Sequence, residues 1–309
     1  MTFLQFKNKL LAELCTDFGS DYKIEILTVP KNNEVTLQGL SIHKKDLNVS
    51  PTIYLESFYE EYLLGTPFEE IIEEIKQTYY KTTPPTNFDI RFFTDFHSVR
   101  PHICMKLIHY QRNEELLKEI PHIRFLDLAV VFYYLFPIAM CENATILIYN
   151  HHLSLWDTNA EELFDIAKEN SPQLLPYYLD DIYSVMNQSD AYVPSPASPR
   201  IYVLTNSDKL FGASAILYPQ LLSLIAHRME CDFVIIPSSI HEVLLVPYTE
   251  KAPPSHYEEM IAEVNDTQLS QEEILSDHAY FFERSTDSIS CYTASHTLSP
   301  KLSMSNHIA

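Results

Sequence analysis

The segment from Asp232 to Pro247 constrains the fold more than any other part of the sequence. It holds two short, β-branched apolar runs, each closed by a proline, and a polar connection between them, Ser238-Ser239-Ile240-His241-Glu242. Runs of this length and composition are typical of buried strands. The sequence therefore predicts two adjacent strands whose connection carries two hydroxyls, an imidazole and a carboxylate.

Glycine is scarce and never clustered. The four glycines are Gly19, Gly39, Gly65 and Gly212. Phosphate-binding loops need clustered glycines so that backbone N–H groups can approach the ligand. Walker-type and Gly-x-Gly-x-x-Gly loops are therefore excluded, and we expect no cofactor.

The charge balance is strongly acidic. The chain has 42 acidic and 21 basic residues, a net charge of −21, and Lys44-Lys45 is its only adjacent basic pair. Such a surface repels phosphate backbones, so we expect no nucleic-acid partner. The acidic runs Glu69-Glu70, Glu73-Glu74 and Glu258-Glu259 are either solvated helix faces or docking surfaces for a basic protein.

The cysteines and the apolar runs indicate a compartment. The five cysteines are widely scattered and never spaced as Cys-x-x-Cys, which favours reduced thiols over a disulfide frame or a zinc site. The N-terminus lacks a continuous apolar signal, and the most apolar run, Leu126 to Met140, is too short to span a bilayer. We expect a cytoplasmic protein without membrane association.

Residues 1–86 are predicted to form a first domain of one helix, a β-meander and a capped helix. Thr66, Pro67 and Glu69 resemble the start of a helix with a capping box. The buried stripe of that helix is predicted to consist of Phe68, Ile71, Ile72, Ile75 and Tyr79.

Residues 87–284 are predicted to form the second domain, with a Pro/Ser-rich loop at 187–200. Asp95 is expected to cap a helix that runs towards Lys106–Tyr110, and the segments 127–136 and 144–149 read as paired strands, with His151-His152 at a strand end. The portion from residue 201 has the pattern β-α-β-β-α-β. Residues 285–309 are rich in serine and threonine without periodicity, which predicts a disordered tail.

These elements predict an α+β fold. It consists of antiparallel or mixed sheets with helices packed on one face, an N-terminal β-meander unit and a larger C-terminal β-α-β-β-α-β unit.

Four segments carry a resemblance to a known family: 121–133, 211–219, 236–243 and 275–278. Over roughly residues 10–283 the chain resembles an uncharacterised bacterial family found mainly in Firmicutes, domain of unknown function 5688. Residues 144–170 are more weakly similar to a second uncharacterised Firmicutes family. Neither resemblance implies an activity, a cofactor or a catalytic residue.

The connection Ser238–Glu242 and the pair Asp277-His278 are the two groups of residues that could carry chemistry. Ser238, Ser239, His241 and Glu242 contain an activated hydroxyl and a base, with Asp277 or His278 as a distant partner. Triads, however, draw their members from separate elements. The alternative is that the serines satisfy turn amides and His241 makes a buried hydrogen bond.

The carboxylates permit further interpretations. His241 and Glu242 could bind a metal together with Asp277 and His278, although Ser276-Asp277-His278 also reads as a polar helix terminus. Asp127, inside an apolar strand, is a catalytic acid, part of a structural ion pair with Arg124, or a residue at the edge of a sheet.

We therefore expect a non-enzymatic regulatory or partner-binding protein, with another protein as its partner. The first alternative is a hydrolase-like or small-molecule-binding enzyme centred on Ser239, His241, Glu242 and His278. The second is a module of a mobile-element or defence system, which rests on no residue.

Overall fold

A computed structural model gives the fold of the chain. It describes residues 1–47, 50–83, 93–137, 144–182, 184, 200–248, 253–293 and 296. The chain divides into two compact units, Met1–His102 with Leu135–Ile146 and Ile103–Tyr134 with Leu147–Ala309. Except for Arg200, the predicted loop 187–200 lies outside the described residues.

The described α-helices and strands follow one another along the chain in short runs of either kind. The α-helices are α1 (Phe3–Phe18), α2 (Glu56–Leu64), α3 (Phe68–Thr82), α4 (Phe96–Val99), α5 (Glu114–Glu119), α6 (Asn150–Trp156), α7 (Ala160–Leu174), α8 (Leu221–Met229) and α9 (Pro254–Thr267). The 3-10 helices are Asn32–Glu34, Arg100–His102, Gln111–Asn113, Gly212–Leu217 and Gln271–Glu273.

Three sheets contain the described strands. The strands are β1 (Tyr22–Pro30), β2 (Thr36–Lys44), β3 (Thr52–Tyr54), β4 (Ile103–His109), β5 (His122–Phe125), β6 (Leu128–Leu135), β7 (Thr145–Leu147), β8 (Tyr177–Asp181), β9 (Tyr202–Asn206), β10 (Phe233–Pro237), β11 (Val243–Pro247), β12 (Tyr280–Glu283) and β13 (Ser288–Cys291). Their orders are β1-β2-β3, β4-β6-β5 with β7 as a fourth strand, and β13-β12-β10-β11-β9-β8. The sheets are antiparallel and open, so the predicted α+β class is confirmed.

The first unit is built around the meander and its helices. Thr2 caps α1 in a capping box with Gln5, and the apolar positions of α1 fall on one helical face. Phe6, Leu10 and Leu14 are fully buried and pack with Leu40 and other residues of the sheet. The buried area of this shared core holds the helix on the meander.

Helix α3 confirms the predicted stripe, because Phe68, Ile71, Ile72, Ile75 and Tyr79 are all buried. The predicted Thr66 cap is wrong, since Pro67 is the N-cap and makes no side-chain cap bond. Thr66 instead follows the C-cap of α2, where its N–H donates to Glu61 O and the N–H of left-handed Gly65 donates to Tyr62 O. The C-terminal cap of α2 therefore uses Thr66, which was predicted to be the N-cap of α3.

The predicted helix that runs from Asp95 towards Lys106–Tyr110 is wrong for residues 103–109. Asp95 does cap a helix, but α4 has only four residues, and Ile103–His109 forms β4. Six of the seven residues of β4 are buried. Burial on both sides gives a strand a nearly continuous apolar run, which periodicity alone does not separate from a buried helix.

The six-stranded sheet confirms the predicted pair around the polar connection. In it β10 pairs with β11 and also with β12, and Tyr257 and Ile261 of α9 pack on Val234 and Phe281. Strand β13 lies within the segment that was predicted to be a tail, so order extends beyond residue 285. Its Ser/Thr-rich sequence hid a strand that pairs with β12.

Within the described residues, no helix combines the length and the apolar character that a bilayer crossing requires.

Candidate functional site

The first candidate site is the connection between β10 and β11. Pro237 pairs with Val243, so residues 238–242 close the strand pair. The N–H groups of Ser238 and Ser239 donate to Glu242 O at 3.3 and 3.1 Å. The connection therefore satisfies part of its own backbone, as polar turn residues commonly do.

The two serine hydroxyls are turned to partners within the same connection. Ser238 Oγ donates to Glu242 Oε1 at 3.2 Å, and Ser239 Oγ accepts from the main-chain N–H of His241 at 3.0 Å. Among the described contacts neither hydroxyl is paired with the His241 ring. A serine nucleophile needs that pairing with its base.

The His241 ring lies against the loop that follows β9. It stacks on Phe211 with ring centroids 5.5 Å apart. Its Nδ1 lies 3.2 Å from Phe211 N, which donates to it, and 3.0 Å from Lys209 O. The main-chain oxygen of His241 accepts from Thr205 Oγ1 at 2.7 Å. His241 therefore joins the connection to the loop after β9 through its ring and to β9 itself through its main-chain oxygen.

Asp277 and His278 have a different set of partners. Asp277 receives two hydrogen bonds from Arg112, at 2.8 and 2.9 Å, and one from Asn265 at 3.1 Å. The His278 ring lies 3.9 Å from Glu258 and is 57% exposed. No described hydrogen bond, ion pair or ring contact joins His241 to His278, so these contacts do not assemble the predicted pair.

Asp127 makes none of its described contacts with Arg124. Its two carboxylate oxygens accept from Ser276 Oγ and Tyr280 OH, each at 2.7 Å. Arg124 Nε donates to Leu126 O at 3.3 Å, and its guanidinium lies over the Tyr110 ring. Asp127 therefore ties β6 to the start of β12 in place of the predicted local ion pair.

Asp127 and Asp277 belong to one polar group, here called the Asp127–Asp277 cluster. Its members are His109, Arg112, Asp127, Asn265, Ser276, Asp277 and Tyr280. Asn265 on α9 donates both to Asp277 and to Ser276 O. The cluster thereby links the end of β4, the start of β6, α9 and the segment before β12 within the second unit.

Burial shifts the pKa values of two cluster members. Burial holds the pKa of His109 below its ordinary value of 6.5; the nearby positive charge of Arg112 adds to the effect, while Asp277 and Asp127 oppose it. Burial, with the Asp127 charge, raises the pKa of Tyr280 well above 10.0. Both side chains are thus stabilised in their neutral forms.

The His109 shift predicts an acid-sensitive contribution to stability. A folded-state pKa below the unfolded value stabilises the fold above pH 6.5, and this stabilisation is lost as the pH falls. We expect the free energy of unfolding to fall more steeply between pH 6.5 and pH 5 in the wild type than in His109→Asn. Denaturant titration at several pH values measures both slopes.

Asparagine is the matched replacement at this position. His109 Nδ1 accepts the Arg112 N–H at 3.2 Å, and the side-chain oxygen of asparagine can do the same without titrating. Equal slopes in the two proteins would show that His109 protonation does not contribute.

The hydrogen bonds of the Asp127–Asp277 cluster connect separate elements of the second unit. Its carboxylates already accept hydrogen bonds from Arg112, Asn265, Ser276 and Tyr280. In the ranges that the structure covers, no group of three or more His, Cys, Asp or Glu residues is placed to hold a metal ion. Because both carboxylates already accept hydrogen bonds from donors on other elements, the cluster is arranged to hold these elements together.

His151 and His152 also differ from the sequence prediction of a strand end with rings on opposite faces. They lie on α6, and their ring centroids are 4.0 Å apart. Burial lowers the pKa of His152 to about 4, and the neighbouring His151 adds to this. The segment begins a short helix because His152 Nδ1 accepts the N–H of Tyr149 and closes its first turn.

A groove beside α8, here called the α8 groove, is a candidate site of another kind. It measures about 920 Å³ and runs between the end of α7, the start of β8, α8 and the turn that joins β12 to β13. Its lining includes Pro172, Tyr177, Pro219, Leu224 and Arg284. Tyr177 is 38% exposed and Leu224 is 42% exposed, so the groove presents apolar surface to solvent.

Sequence reasoning missed the α8 groove and half of the cluster. Arg112 and Asp277 are 165 positions apart, and no local pattern announces such a pair. The groove takes its wall from several separate elements, and no local sequence pattern distinguishes the exposed Leu224 from the buried apolar residues of α8. The position of Pro219, which separates the 3-10 helix Gly212–Leu217 from α8, was the available signal that this helix restarts and turns.

Comparison with known proteins gives a family match. A family model described as "Family of unknown function (DUF5688)" matches residues 3–284. No curated protein and no solved structure matches the chain.

Proposed function

The chain belongs to the DUF5688 family of unknown function, and we propose that it is a partner-binding protein whose α8 groove holds a segment of another protein. The groove carries this proposal, because it is an open hollow of about 920 Å³ with Leu224 and Tyr177 exposed along it. Adjoining apolar side chains that stay exposed are typical of binding surfaces. Covering them with a partner removes that apolar surface from water.

The groove walls favour binding without rearrangement. Pro172, Pro176 and Pro219 are among the lining residues. A proline has a fixed φ and no main-chain N–H that would need a partner. Walls built this way lose little conformational entropy when a ligand docks, which leaves more of the contact free energy for affinity.

The two polar sites support a binding role rather than a catalytic one. The hydroxyls of the β10–β11 connection are hydrogen-bonded within that connection. The carboxylates of the Asp127–Asp277 cluster are bonded to donors from other elements. In both places the hydrogen bonds that a substrate would use are already made inside the protein.

We place this function in the cytoplasm. The four described cysteines, Cys15, Cys104, Cys231 and Cys291, are free thiols. Free thiols at scattered positions favour a reducing compartment.

A charged residue in the groove wall tests the proposal. We expect Leu224→Asp to reduce partner recovery at least tenfold, because a carboxylate replaces an apolar contact and must be desolvated on binding. The measurement is cross-linked recovery of the tagged full-length protein from its own cells, followed by titration calorimetry with the purified partner.

The matched control is Leu155→Asp on α6. Leu155 is 53% exposed and is not among the groove residues, so its replacement should leave partner binding unchanged. Equal binding by both variants would overturn the proposal. Leu64, the last residue of α2, is 88% exposed, and loss of binding in Leu64→Asp alone would instead assign the partner to the end of α2. A hydrolytic activity abolished by Ser239→Ala and His241→Gln, but not by Leu224→Asp, would overturn it as well.

A further inference from the structure

The α8 groove borders the edge of the six-stranded sheet. Strand β8 is the last strand in the order of that sheet, and among the described residues it pairs only with β9. Tyr177 belongs both to β8 and to the lining of the groove. A segment that binds in the groove therefore lies beside an open sheet edge.

The register of β8 on β9 determines which main-chain groups face this edge. Ile182 donates its N–H to Ile201 O at 2.9 Å, and Ser207 donates its N–H to Pro176 O at 2.8 Å. Both pairs are directly opposite in the antiparallel register. Residues of such a strand alternate between bonding to the neighbour and facing away from it. The even-numbered residues of β8 therefore bond to β9, and the odd-numbered ones turn their N–H and C=O groups to the open edge.

Two of the three odd-numbered residues have main-chain groups available for pairing. The N–H of Asp181 donates to Asp180 Oδ1 at 2.8 Å, so this end of the strand is already satisfied. Outside the β8–β9 ladder, no hydrogen bond of the described residues involves the main chain of Tyr177 or Leu179. Both the N–H and the C=O of these two residues are therefore available to an added strand.

The start of β8 is also accessible from both faces of the sheet. Tyr177 is 38% exposed and Tyr178 is 44% exposed, and neighbouring residues of a strand point to opposite faces. Open sheet edges with free N–H and C=O groups bind extended segments of other chains. A second copy of this chain is a poor occupant, because each copy has a net charge of −21 and like charges repel.

We infer that the partner segment binds as an extended strand added to β8, with hydrogen bonds to the main chain of Tyr177 and Leu179. This inference rests on the proposed partner-binding function and adds the conformation and the chemistry of the bound segment. A partner residue level with Tyr177 turns its side chain to the same face of the sheet as Tyr177, which lines the groove. Alternate side chains of the segment are therefore apolar and face the groove, while its main chain pairs with the edge.

Pools of capped six-residue peptides are the probe. The odd positions vary over Val, Ile, Leu and Tyr, and the even positions vary over Thr, Gln and Lys, so an extended peptide has one apolar face. The first pool is unmodified, the second carries N-methyl groups at two odd positions, and the third carries them at two even positions. Mass spectrometry quantifies the peptides that the immobilised full-length protein retains.

The two methylated pools are expected to differ. The apolar face of the peptide turns to the groove, so only the odd or only the even N–H groups face β8. One methylated pool should be retained like the unmodified pool and the other about tenfold less, because its donors to the edge are missing. Loss of the odd set corresponds to an antiparallel added strand and loss of the even set to a parallel one.

A proline in the edge strand tests the same bonds from the side of the protein. Leu179→Pro removes an N–H that faces the open edge and leaves the bonds to β9 in place, a position where strands tolerate proline. We expect it to reduce retention of the unmodified pool about tenfold. The matched control is Leu179→Ala, which shortens the same side chain but keeps the N–H and should retain the pool. Urea unfolding of both variants verifies that they fold, and the methylated pools test the unaltered protein.

Four results would overturn the added strand. They are equal retention of all three pools, equal loss of both methylated pools, no retention of the unmodified pool, and equal loss in Leu179→Pro and Leu179→Ala. A wild-type dimer in sedimentation velocity that dissociates in Leu179→Pro would instead assign the edge to a second copy.

The proposed function is judged separately by Leu224→Asp. If that variant loses the partner while both methylated pools behave alike, the groove remains the binding site and the added strand is wrong. If the methylated pools differ but Leu224→Asp keeps the partner, the edge binds a strand and the groove proposal is wrong.

Discussion

Replacing Asp127 by alanine is expected to lower the free energy of unfolding by about 4 kcal/mol, since each buried hydroxyl that loses its acceptor costs about 1–3 kcal/mol. The hydroxyls concerned belong to Tyr280 and Ser276, which are 0% and 1% exposed. Ser276 has a second, longer contact with His278 O at 3.3 Å, so Tyr280 should account for the larger share. Equilibrium denaturation in urea measures the loss.

A double-mutant cycle distinguishes this explanation from a simple loss of packing. Tyr280→Phe removes the hydroxyl that Asp127→Ala would leave without a partner. We therefore expect the combined variant to be less destabilised than the sum of the two single variants. Strict additivity would mean that the Asp127–Tyr280 hydrogen bond does not contribute to the effect.

The Tyr280 pKa gives a second measurement on the same bond. A tyrosine whose folded-state pKa is raised stabilises the fold below its unfolded pKa, and the stabilisation is lost as the pH rises above about 10. This loss of stability at high pH should be smaller in Tyr280→Phe than in the wild type. The other buried tyrosines contribute equally in both proteins, so the difference reports on Tyr280.

The sequence predicted those parts of the fold whose signals are local. The stripe of α3 repeats at helical spacing, and all five of its predicted members are buried. The β10–β11 pair has prolines at its ends and a polar connection, and the structure forms it with Pro237 opposite Val243. Periodicity and punctuation within about fifteen residues were sufficient for both.

The parts that were predicted wrongly depend on choices between neighbouring elements. Ile103–His109 is apolar enough for either a buried helix or a buried strand, and pairing with β6 decides for the strand. Arg124 and Asp127 are close in sequence, yet the chain turns between them at Leu126, which has a φ of 56°. Their side chains consequently find other partners, and no pattern of spacing shows this.

The candidate site divides in the same way. Asp277 was predicted as a distant partner of the Ser238–Glu242 connection or as a metal ligand, whereas its main partner is Arg112, 165 positions away. The α8 groove depends on the exposure of Leu224, which is a matter of what covers a helix and not of the helix sequence. Such features follow from tertiary packing, so they could be identified only from the structure.

Replacing Gly212 by alanine is expected to cost about 3 kcal/mol or more, the upper range for overpacking a tight interior. A Cβ at this position would lie 2.6 Å from His241 O and 2.7 Å from Asn206 N, both main-chain atoms, and would also contact Thr205 Oγ1. Asn206 is paired in β9, and His241 O accepts a hydrogen bond from Thr205 Oγ1, so neither main-chain atom moves aside without disturbing existing hydrogen bonds. The midpoint of urea unfolding, with an unchanged slope, measures the cost.

Gly19→Ala is the comparison for a glycine that is required by its backbone conformation and not by lack of space. Gly19 has a φ of +75° and a ψ of −171°, a region that essentially only glycine adopts, and open space around its Cβ position, so the change should cost about 1–3 kcal/mol through backbone strain alone. Adding Thr205→Ala to Gly212→Ala should recover part of the loss by removing the side-chain contact. The contacts with His241 O and Asn206 N would remain, so the recovery should be incomplete. Full recovery would show that the backbone of the β10–β11 connection can yield, and an unchanged midpoint in Gly212→Ala alone would contradict the close approach of the two segments.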